Sequence, residues 1–482
     1  MLKKTIIENF LEISKKYSTK IALVVRNKNY SYEELKEKSF LIASNIKFYA
    51  KKDQVIGIFL DRSFLQIASI LGCLICNKSF IIFDSKIPEK KIKFIIRKLN
   101  IRTIIYDGPK STFDKKLKYL RTKQILSQRK NISFLDQEYN SENNVYYIFT
   151  SGSTGEPKGV QINNTNLVTF VRNCKKIFKI NNTDRVILLP YLSFDLSVFP
   201  LWVSLCSGST IYYPIGVDII YPVHFIKKNN ITVYCSVPSQ ISIINEFLKN
   251  TNVKLDSVKL SVFCGEPLTY SQVYEMRNYF KNTKIFNTYG PSETTCFNTY
   301  YRVNKIPSNR MSDIISIGKE MPGNKITLKN NEIIISGKQV SNGYIDKKIN
   351  KNNFFKKGKY YHYKTGDYAK KIKKNFYFIG RKDQQIKLSG YRIELGDIER
   401  NISKVIKNKR VVILYENKNI LAILESSRKL SKNELFEIKK KIPTYAIPKN
   451  FYYLRKFPLN KNMKIDKMKI KKIILNEYKS NN

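Results

Sequence analysis

Apolar runs of strand length alternate with helical patterns along most of this chain, and no other sequence feature constrains the fold as strongly. Strands that alternate with helices indicate a parallel sheet covered by helices on both faces. The elements predicted before residue 140 are helix Ile6–Tyr17, a strand pair within Ala22–Tyr32, helix Tyr32–Tyr49, strand Gln54–Leu60, helix Phe64–Cys76, strand Phe80–Phe83, helix Glu89–Leu99 and strand Thr103–Tyr106. The pattern predicts an α/β fold.

The same alternation resumes later in the chain and then changes twice. The elements predicted in the second run are helix Asn164–Ile177, strand Arg185–Leu189, helix Phe199–Ser207, strand Ser209–Tyr213, strand Thr232–Ser236, helix Pro238–Lys249, strand Leu260–Cys264, helix Ser271–Phe280 and strand Lys284–Tyr289. From about Ile314, short strands separated by turn residues indicate a β-rich part, and a compact mixed segment follows Asp383. Because 482 residues are too many for one compact core, we expect domains at residues 1–382 and 383–482.

One polar loop directly follows the apolar run Val145–Phe149, which reads as a buried strand. The hydroxyl, glycine and lysine residues of this loop are Thr150, Ser151, Gly152, Ser153, Thr154, Gly155, Lys158 and Gly159. Glycines let backbone N–H groups turn toward an anion, hydroxyls donate hydrogen bonds and a lysine adds a point charge. The loop is not a Walker A motif, because glycine rather than Ser or Thr follows Lys158. Its composition predicts polyphosphate binding, with a flexible linker as the alternative.

The formal net charge of +49 raises the question of a nucleic-acid or membrane partner. The lysines are spread from Lys3 to Lys479, so a general drift in composition explains the charge better than a binding stripe. We therefore expect no nucleic-acid partner. The N-terminal segment carries Glu8 and does not read as a signal peptide. The longest apolar stretch, Phe64–Cys76, is shorter than the roughly 20 residues that a bilayer span needs, so we expect no stable membrane insertion.

The seven cysteines are scattered, as is typical of reduced thiols in a cytoplasmic protein. Cys73 and Cys76 have Cys-x-x-Cys spacing, but they lie in an apolar helical pattern without a second pair. We therefore expect structural thiols there and not a zinc or redox site. With His224 and His362 as the only histidines, the sequence also argues against a His-based catalytic triad.

Three further polar stretches lie at or near predicted strand ends, where open α/β sheets bind ligands: Phe286–Thr295, Tyr363–Asp367 and Gly380–Glu399. With the polar loop, Ser193–Val198 and Phe263–Glu266, and in this order, they resemble the adenylate-forming enzyme superfamily. More narrowly they are similar to the amino-acid adenylation domains, and within those to the D-alanine–carrier protein ligases. The resemblance covers about residues 10 to 470. It implies a large N-terminal α/β domain with a β-barrel portion and a small C-terminal α+β domain hinged at Asp383.

The resemblance implies a ligase that uses ATP and Mg²⁺ to convert a carboxylate to an acyl-adenylate. The residues it places around the nucleotide are Thr150, Ser151, Gly152, Ser153, Thr154, Gly155 and Lys158 on the phosphates, Asn287, Thr288 and Tyr289 at the adenine, and Asp367 and Arg381 at the ribose. Glu293 matches the Mg²⁺ ligand, and an oxygen donor suits that cation. Lys464 matches the catalytic lysine, with one more tail lysine as the alternative. The sequence departs from the family at Met463, usually Gly, and at Ser292, usually Thr.

Asp195 matches the residue that pairs with the substrate amino group in amino-acid-activating members. A carboxylate in a pocket is costly unless a cation meets it, so Asp195 favours an amino-acid substrate; a helix N-cap ahead of Leu196–Phe199 is the alternative. The resemblance places along the pocket Leu196, Phe199, Ser236, Val262, Cys264, Thr288, Cys296 and Phe297. Because this lining is mostly apolar and two phenylalanines take up volume, we predict a small substrate such as alanine, serine or glycine. The enantiomer stays open.

In the family, the C-terminal domain then swings to present the Lys387–Arg392 loop, where Gly390 would admit a phosphopantetheine arm. The sequence contains no carrier segment, so we expect an acyl or peptidyl carrier protein supplied in trans. Such partners are typically acidic, which suits a basic surface. Two other hypotheses stay open at this point: an acyl-CoA or aryl-CoA synthetase, against which Asp195 argues, and a basic binding protein on an impaired adenylation fold.

Overall fold

The computed structural model describes residues 2–85, 87–107, 113–114, 116–127, 137–150, 156–249, 251–304, 313–382, 385–388, 391–406, 410–416, 419–459 and 465–480. The chain forms two compact units. The first comprises Met1–Asp84, Lys93–Thr150 and Lys158–Lys382, and the second comprises Ser85–Ile92, Ser151–Pro157 and Asp383–Asn482.

The helices of the described residues are α1 Ile6–Lys16, α2 Tyr32–Tyr49, α3 Phe64–Ile75, α4 Glu89–Lys98, α5 Thr122–Ser127, α6 Asn164–Phe178, α7 Val223–Lys228, α8 Pro238–Leu248, α9 Tyr270–Met276, α10 Lys347–Asn353, α11 Leu395–Ser403, α12 Lys432–Lys441 and α13 Lys467–Ser480. Several begin with reciprocal capping boxes, in which a side chain caps the third backbone N–H and the third side chain returns the bond. Examples start at Thr5, Ser31 and Ser431. No helix among these residues combines the length and apolar composition that a bilayer span requires.

The strands of the same residues are β1 Ile21–Val25, β2 Lys28–Ser31, β3 Val55–Phe59, β4 Ser79–Ile82, β5 Thr103–Tyr106, β6 Lys118–Arg121, β7 Asn144–Thr150, β8 Lys158–Asn163, β9 Arg185–Ile187, β10 Thr210–Tyr213, β11 Val233–Ser236, β12 Leu260–Phe263, β13 Lys284–Tyr289, β14 Thr299–Val303, β15 Lys319–Glu320, β16 Asn324–Lys329, β17 Glu332–Gly337, β18 Phe354–Lys357, β19 Tyr360–Ile372, β20 Asn375–Arg381, β21 Gln385–Leu388, β22 Tyr391–Glu394, β23 Val411–Glu416, β24 Asn419–Glu425 and β25 Asn450–Leu454.

The alternating strands of the first unit form two sheets where the sequence indicated one parallel sheet. Within the described residues one sheet has nine strands in the order β15-β14-β13-β12-β11-β9-β10-β1-β2, and its strands from β13 to β1 run parallel to their neighbours. The other has six strands in the order β6-β5-β3-β4-β7-β8. The β1–β2 hairpin turns at Arg26 and Asn27, both left-handed, and β1 joins β10 in the nine-stranded sheet. An apolar strand pattern predicts burial but does not identify the neighbouring strand, so the sequence could not separate the two sheets.

The predicted β-rich part is a five-stranded antiparallel sheet in the described residues, with β16-β17-β19-β18 in order and β20 paired with β19. The predicted fold class is therefore confirmed as a large α/β part with a β-rich portion, followed by a small α+β part.

The second unit contains the hairpin β21–β22 and a sheet of β23, β24 and β25. Alternate residues of β24 point to opposite sides of that sheet. Both sets are apolar, so both faces of the sheet are packed against helices. Ala422 and Leu424 pack in one cluster with Ile438 of α12, whereas Leu421 and Ile423 pack in another with Ile470 and Ile474 of α13.

Candidate active site

The polar loop connects two antiparallel strands, because Thr150 at the end of β7 pairs with Lys158 at the start of β8. Ser151, Gly152, Ser153, Thr154 and Gly155 lie outside the described residues. The Thr150 side chain is buried, and its hydroxyl oxygen has no hydrogen-bond partner among the described residues. Lys158 Nζ lies 5.8 Å from the ring centroid of Tyr344. A buried hydroxyl without a partner is costly, so Thr150 Oγ1 is suited to a ligand.

Gly159 follows the lysine at a point where the backbone approaches two side chains. A Cβ there would lie 2.8 Å from Phe149 Cζ and 2.3 Å from Ile345 Cδ1. Only glycine fits without displacing these groups, so close packing explains why a glycine follows Lys158.

Glu293 lies in the 3-10 turn Ser292–Thr294 directly after β13 and is fully buried. Tyr344 donates a 2.7 Å hydrogen bond to Glu293 Oε1, and the Tyr344 and Tyr363 hydroxyls lie 3.2 Å apart. The two residues that follow the Ser292–Thr294 turn, Thr295 and Cys296, both have left-handed backbone angles, with φ of 59° and 70°. Such angles are unfavourable for a β-branched residue and persist only where neighbouring contacts hold them.

Gln339 supplies those contacts. The Thr295 hydroxyl donates to the Gln339 carbonyl at 2.7 Å, and Gln339 Nε2 donates to the Phe297 carbonyl at 2.8 Å. The backbone that follows the Glu293 turn is thus held by both the backbone carbonyl and the side chain of Gln339, in the segment after β17.

Tyr289, Asp367 and Arg381 form a buried hydrogen-bonded chain. The Tyr289 hydroxyl donates to Asp367 Oδ2 at 2.6 Å, and Arg381 Nη1 donates to Asp367 Oδ1. Burial raises the pKa of the Tyr289 phenol well above its ordinary value, and the adjacent Asp367 carboxylate raises it further, so the hydroxyl remains a donor. Asp367 and Arg381 are also directly opposite each other on β19 and β20.

Asn287 and Thr288 precede Tyr289 on β13 and are both buried. Asn287 Nδ2 donates to the carbonyls of Ile315 and Ser316, at 3.2 and 2.9 Å, whereas its Oδ1 has no partner among the described residues. The amide is therefore held in one orientation with an acceptor left over. Thr288 donates to the Phe263 carbonyl at 2.8 Å.

Asp195 is the first residue of the 3-10 turn Asp195–Ser197, whose N-cap is Phe194. The alternative that Asp195 is itself a helix N-cap is therefore wrong. The predicted helix Phe199–Ser207 is helical in the structure, and Phe199–Val203 has π-helical geometry. Pro200, which has no backbone N–H, disfavours a regular α-helix there. The Asp195 carboxylate is instead bonded across the site, because Ser292 Oγ donates to Asp195 Oδ2 at 2.5 Å.

Three of the predicted pocket residues lie at or near the carboxyl ends of adjacent parallel strands. Ser236 ends β11, Cys264 follows β12 and Thr288 lies on β13, and the strand register sets Ser236 beside Phe263 and Phe263 beside Asn287. The buried members of the predicted lining are Leu196, Phe199, Ser236, Val262, Cys264, Thr288, Cys296 and Phe297. The sheet edge therefore brings together residues that are far apart in sequence.

Phe199 and Phe297 belong to an aromatic cluster behind this edge. Their ring centroids lie 5.5 Å apart, and Phe178 packs edge-on against Phe199 at 5.3 Å. Both rings are fully buried. Burial raises the pKa of the Cys296 thiol well above its ordinary value, and Cys264 and Asp195 add to the rise, so this thiol is neutral. The predicted lining is mostly apolar, and packed aromatic rings fill its inner side.

Lys464 lies outside the described residues, as do Met463 and Gly390.

Sequence reasoning missed Tyr344 and Gln339, which hold Glu293 and its turn. Neither belongs to a motif with a chemical signature, and both act through positions more than 40 residues from the groups they bond. A buried tyrosine or glutamine in a β-rich segment gives no signal from which such a partner could be predicted.

Three comparisons with known proteins identify the family and the fold of this chain. Residues 10–345 match the family model described as AMP-binding enzyme. The D-alanine–D-alanyl carrier protein ligase of Staphylococcus aureus strain Newman is 30% identical over 462 residues, which are 92% of this chain and 94% of the relative.

Two solved structures share the fold. The Vibrio cholerae adenylation domain AlmE, in complex with glycyl-adenosine-5'-phosphate, has a TM-score of 0.86 at 21% identity over 99% of this chain and 98% of its own. The Bacillus subtilis o-succinylbenzoate CoA synthetase (double mutant) has a TM-score of 0.82 at 20% identity over 96% and 98%. The resemblance predicted from the sequence motifs is confirmed, and the chain belongs to the AMP-binding enzyme family.

Proposed function

We propose that this AMP-forming ligase activates a small amino acid, alanine or one of similar size, and transfers it to the phosphopantetheine thiol of a separate carrier protein. The observation that carries the proposal is the Asp195 carboxylate, held by Ser292 at the carboxyl edge of the nine-stranded sheet. A carboxylate fixed among apolar side chains is suited to a substrate ammonium group. A relative named a D-alanine ligase and a fold neighbour with a glycyl-adenylate support a small side chain.

In the first half-reaction, a substrate carboxylate oxygen forms a bond to the α-phosphorus of ATP, and the bond from that phosphorus to the bridging oxygen of pyrophosphate breaks. Carboxylates are weak nucleophiles that phosphates repel, so positioning and charge neutralisation supply most of the rate. We assign Thr150, Lys158 and the residues between them to the departing phosphates. We assign Lys464 to the charge that develops between carboxylate and α-phosphate.

The nucleoside is assigned to the buried chain of Tyr289, Asp367 and Arg381. Asp367 accepts one bond on each oxygen, and a carboxylate can accept about four, so it retains capacity for ribose hydroxyls. Asn287 Oδ1 is an acceptor without a partner among the described residues, which suits an amino group such as that of adenine. Tyr289 supplies a ring face for the base.

Glu293 is assigned to Mg²⁺. The described residues contain no cluster of three or more acidic, cysteine or histidine side chains that could hold a metal. A single carboxylate fits Mg²⁺, which is commonly bound by one or two carboxylates together with substrate phosphates. When bound, Mg²⁺ neutralises charge on the phosphate oxygens. Tyr344 fixes the Glu293 carboxylate for that purpose.

The side-chain specificity is assigned to the filled inner wall. Phe199 and Phe297 are fully buried and in contact with further aromatic rings, so neither can withdraw without opening the core. No basic residue occurs in the predicted lining, so an acidic side chain would be left unpaired.

For the second half-reaction we propose that residues 383–482 form a mobile domain that exchanges Lys464 for the Lys387–Arg392 loop. The acceptor is a carrier protein in trans, and the formal charge of +49 favours encounter with an acidic partner. All seven cysteines are free and buried, which suits a reducing compartment such as the cytoplasm.

The test is ATP–pyrophosphate exchange with purified protein, using D-alanine, L-alanine, glycine, serine, larger amino acids and short fatty acids as separate substrates. We expect exchange with one or more of the small amino acids. Exchange with fatty acids alone would overturn the proposal in favour of an acyl-CoA synthetase. Loading of a phosphopantetheinylated carrier protein, followed by mass spectrometry, then tests the second half-reaction.

A further inference from the structure

We infer that Arg62 is a positioning residue for the substrate amino-group contact, because it anchors the segment that carries Asp195. This inference rests on the proposed function and deepens it. Arg62 lies in the connection between α3 and β3, a strand of the six-stranded sheet, whereas the segment from Leu188 to Ser197 follows β9 of the nine-stranded sheet. The Arg62 side chain is only 7% exposed. A buried guanidinium requires several partners, and those it contacts here belong mainly to that segment.

Arg62 donates to three backbone carbonyls at the carboxyl ends of two neighbouring strands. Its Nη1 donates to Leu188 at 3.1 Å and to Pro214 at 3.2 Å, and its Nη2 donates to Leu189 at 2.6 Å. Two of these carbonyls immediately precede the turn toward Asp195. The planar fork of arginine suits such divergent acceptors, and lysine cannot reproduce it.

The same guanidinium lies between two tyrosine rings. Its Cζ is 4.5 Å from the ring centroid of Tyr191 and 5.0 Å from that of Tyr213. Tyr213 in turn donates to Gln66 Oε1 at 2.6 Å, and Gln66 Nε2 donates to the Leu60 carbonyl at 2.7 Å. Contacts on the side of the six-stranded sheet therefore fix the Arg62 side chain. Its stacking on Tyr191 adds a contact within the segment from Leu188 to Ser197.

Successive turns carry this hold from Tyr191 to Asp195. The Phe194 amide donates to the Tyr191 carbonyl at 3.0 Å, and the Ser197 amide donates to the Phe194 carbonyl at 3.1 Å. Ser193 Oγ adds a second tie to the six-stranded sheet by donating to Asp84 Oδ2 at 3.3 Å. The backbone between the anchor and Asp195 is thus continuous and hydrogen-bonded.

The anchor matters because one face of the segment borders a cavity. The cavity is small, about 20 Å³, and is lined by Leu192, Ser193, Ser197 and Val198, together with Tyr146 and other residues of α3, β4, β7 and the π-helical turn. A segment beside a cavity can shift more easily than one in a close-packed interior. Ser292 bonds the Asp195 carboxylate itself, whereas the backbone that carries Asp195 depends on ties such as those of Arg62 at the start of the segment.

The test compares Arg62→Lys with Arg185→Lys in amino-acid-dependent ATP–pyrophosphate exchange. Arg185 is a matched control: its Nε donates to the Asn229 carbonyl at 2.7 Å and its Cζ lies 4.7 Å from the Tyr212 ring centroid, yet it lies at the start of β9, away from Asp195. We expect Arg62→Lys to raise the KM for the amino acid about tenfold or more while the KM for ATP changes less than twofold. Arg185→Lys should change neither constant by more than about twofold.

Equal effects of the two variants, or equal rises in both KM values for Arg62→Lys, would show a merely structural role and overturn the inference. Should Arg62→Lys fail to fold, Tyr191→Leu removes one ring of the stack and carries the same expectation and the same contrary outcome. If the wild-type chain catalyses amino-acid-dependent exchange and these Arg62 and Tyr191 variants keep its amino-acid KM, the inference is wrong but the proposed function stands. Absence of exchange in the wild-type chain with every acid defeats the proposed function and the inference with it.

Discussion

Ser292 Oγ donates a 2.5 Å hydrogen bond to Asp195 Oδ2, so the residue before Glu293 holds the carboxylate assigned to the substrate amino group. The residues that we assign to the metal and to the amino acid are therefore joined through one short turn. The contact needs only a side-chain hydroxyl. Serine supplies it, as would the threonine that is usual in the family, which explains why a hydroxyl residue stands at position 292.

Ser292→Ala should weaken amino-acid binding and leave nucleotide binding nearly intact. A hydrogen bond to a charged group is worth about 1.5–3 kcal/mol, which corresponds to a rise in the amino-acid KM of roughly tenfold or more. The measurement is exchange kinetics with amino acid and ATP varied separately. Ser292→Thr, which keeps the hydroxyl, is the matched control and should behave like the wild-type chain. Equal loss in both variants would place the effect in packing and not in the hydrogen bond.

Thr150→Val should lower ATP affinity without lowering stability. The Thr150 hydroxyl is buried without a partner among the described residues, so its replacement by a methyl group removes a desolvation cost in the free protein. We expect an unchanged or higher unfolding temperature and a KM for ATP about tenfold higher. A clear drop in unfolding temperature with unchanged ATP kinetics would show that the hydroxyl serves the fold.

Glu293→Gln should raise the Mg²⁺ concentration needed for half-maximal exchange by roughly tenfold or more, since an amide oxygen is a weaker ligand than a carboxylate for a hard cation. Tyr344→Phe is the comparison, because it removes the 2.7 Å bond to Glu293 Oε1 and keeps the charge. We expect it to shift the Mg²⁺ requirement less than Glu293→Gln does. A Mg²⁺ titration of both variants checks this, and an unchanged requirement in Glu293→Gln would rule out the assignment.

The sequence predicted the elements well where hydrophobic period and capping agree. Helix α2 has the predicted bounds, and its Ser31 and Glu34 form the capping box at its start. It did not predict which strands are neighbours, because β3 and β10 are both buried apolar runs. Motif residues such as Asp195, Glu293 and Asp367 carry recognisable local patterns. Their supports, Arg62, Gln339 and Tyr344, do not, since they act through contacts between residues far apart in the chain.

Cys296 should resist alkylation in the folded protein even at alkaline pH. Burial raises the pKa of its thiol well above the ordinary value, and the thiolate is the reactive form. Cys206 is a second case, with a pKa raised by burial to about 12. In the unfolded chain such thiols ionise near pH 8.5. A folded pKa above the unfolded one gives stability that is fully present below the unfolded pKa and is lost as the pH rises from there through the folded pKa.

We therefore expect little iodoacetamide labelling of the native protein between about pH 7 and pH 9. Under denaturing conditions all seven cysteines should label, and faster as the pH rises. Peptide mass spectrometry assigns each site, and Cys296→Ser identifies the pocket peptide. Rapid native labelling of Cys296 at about pH 8.5 would contradict the buried, neutral thiol on which the apolar description of the predicted substrate pocket depends.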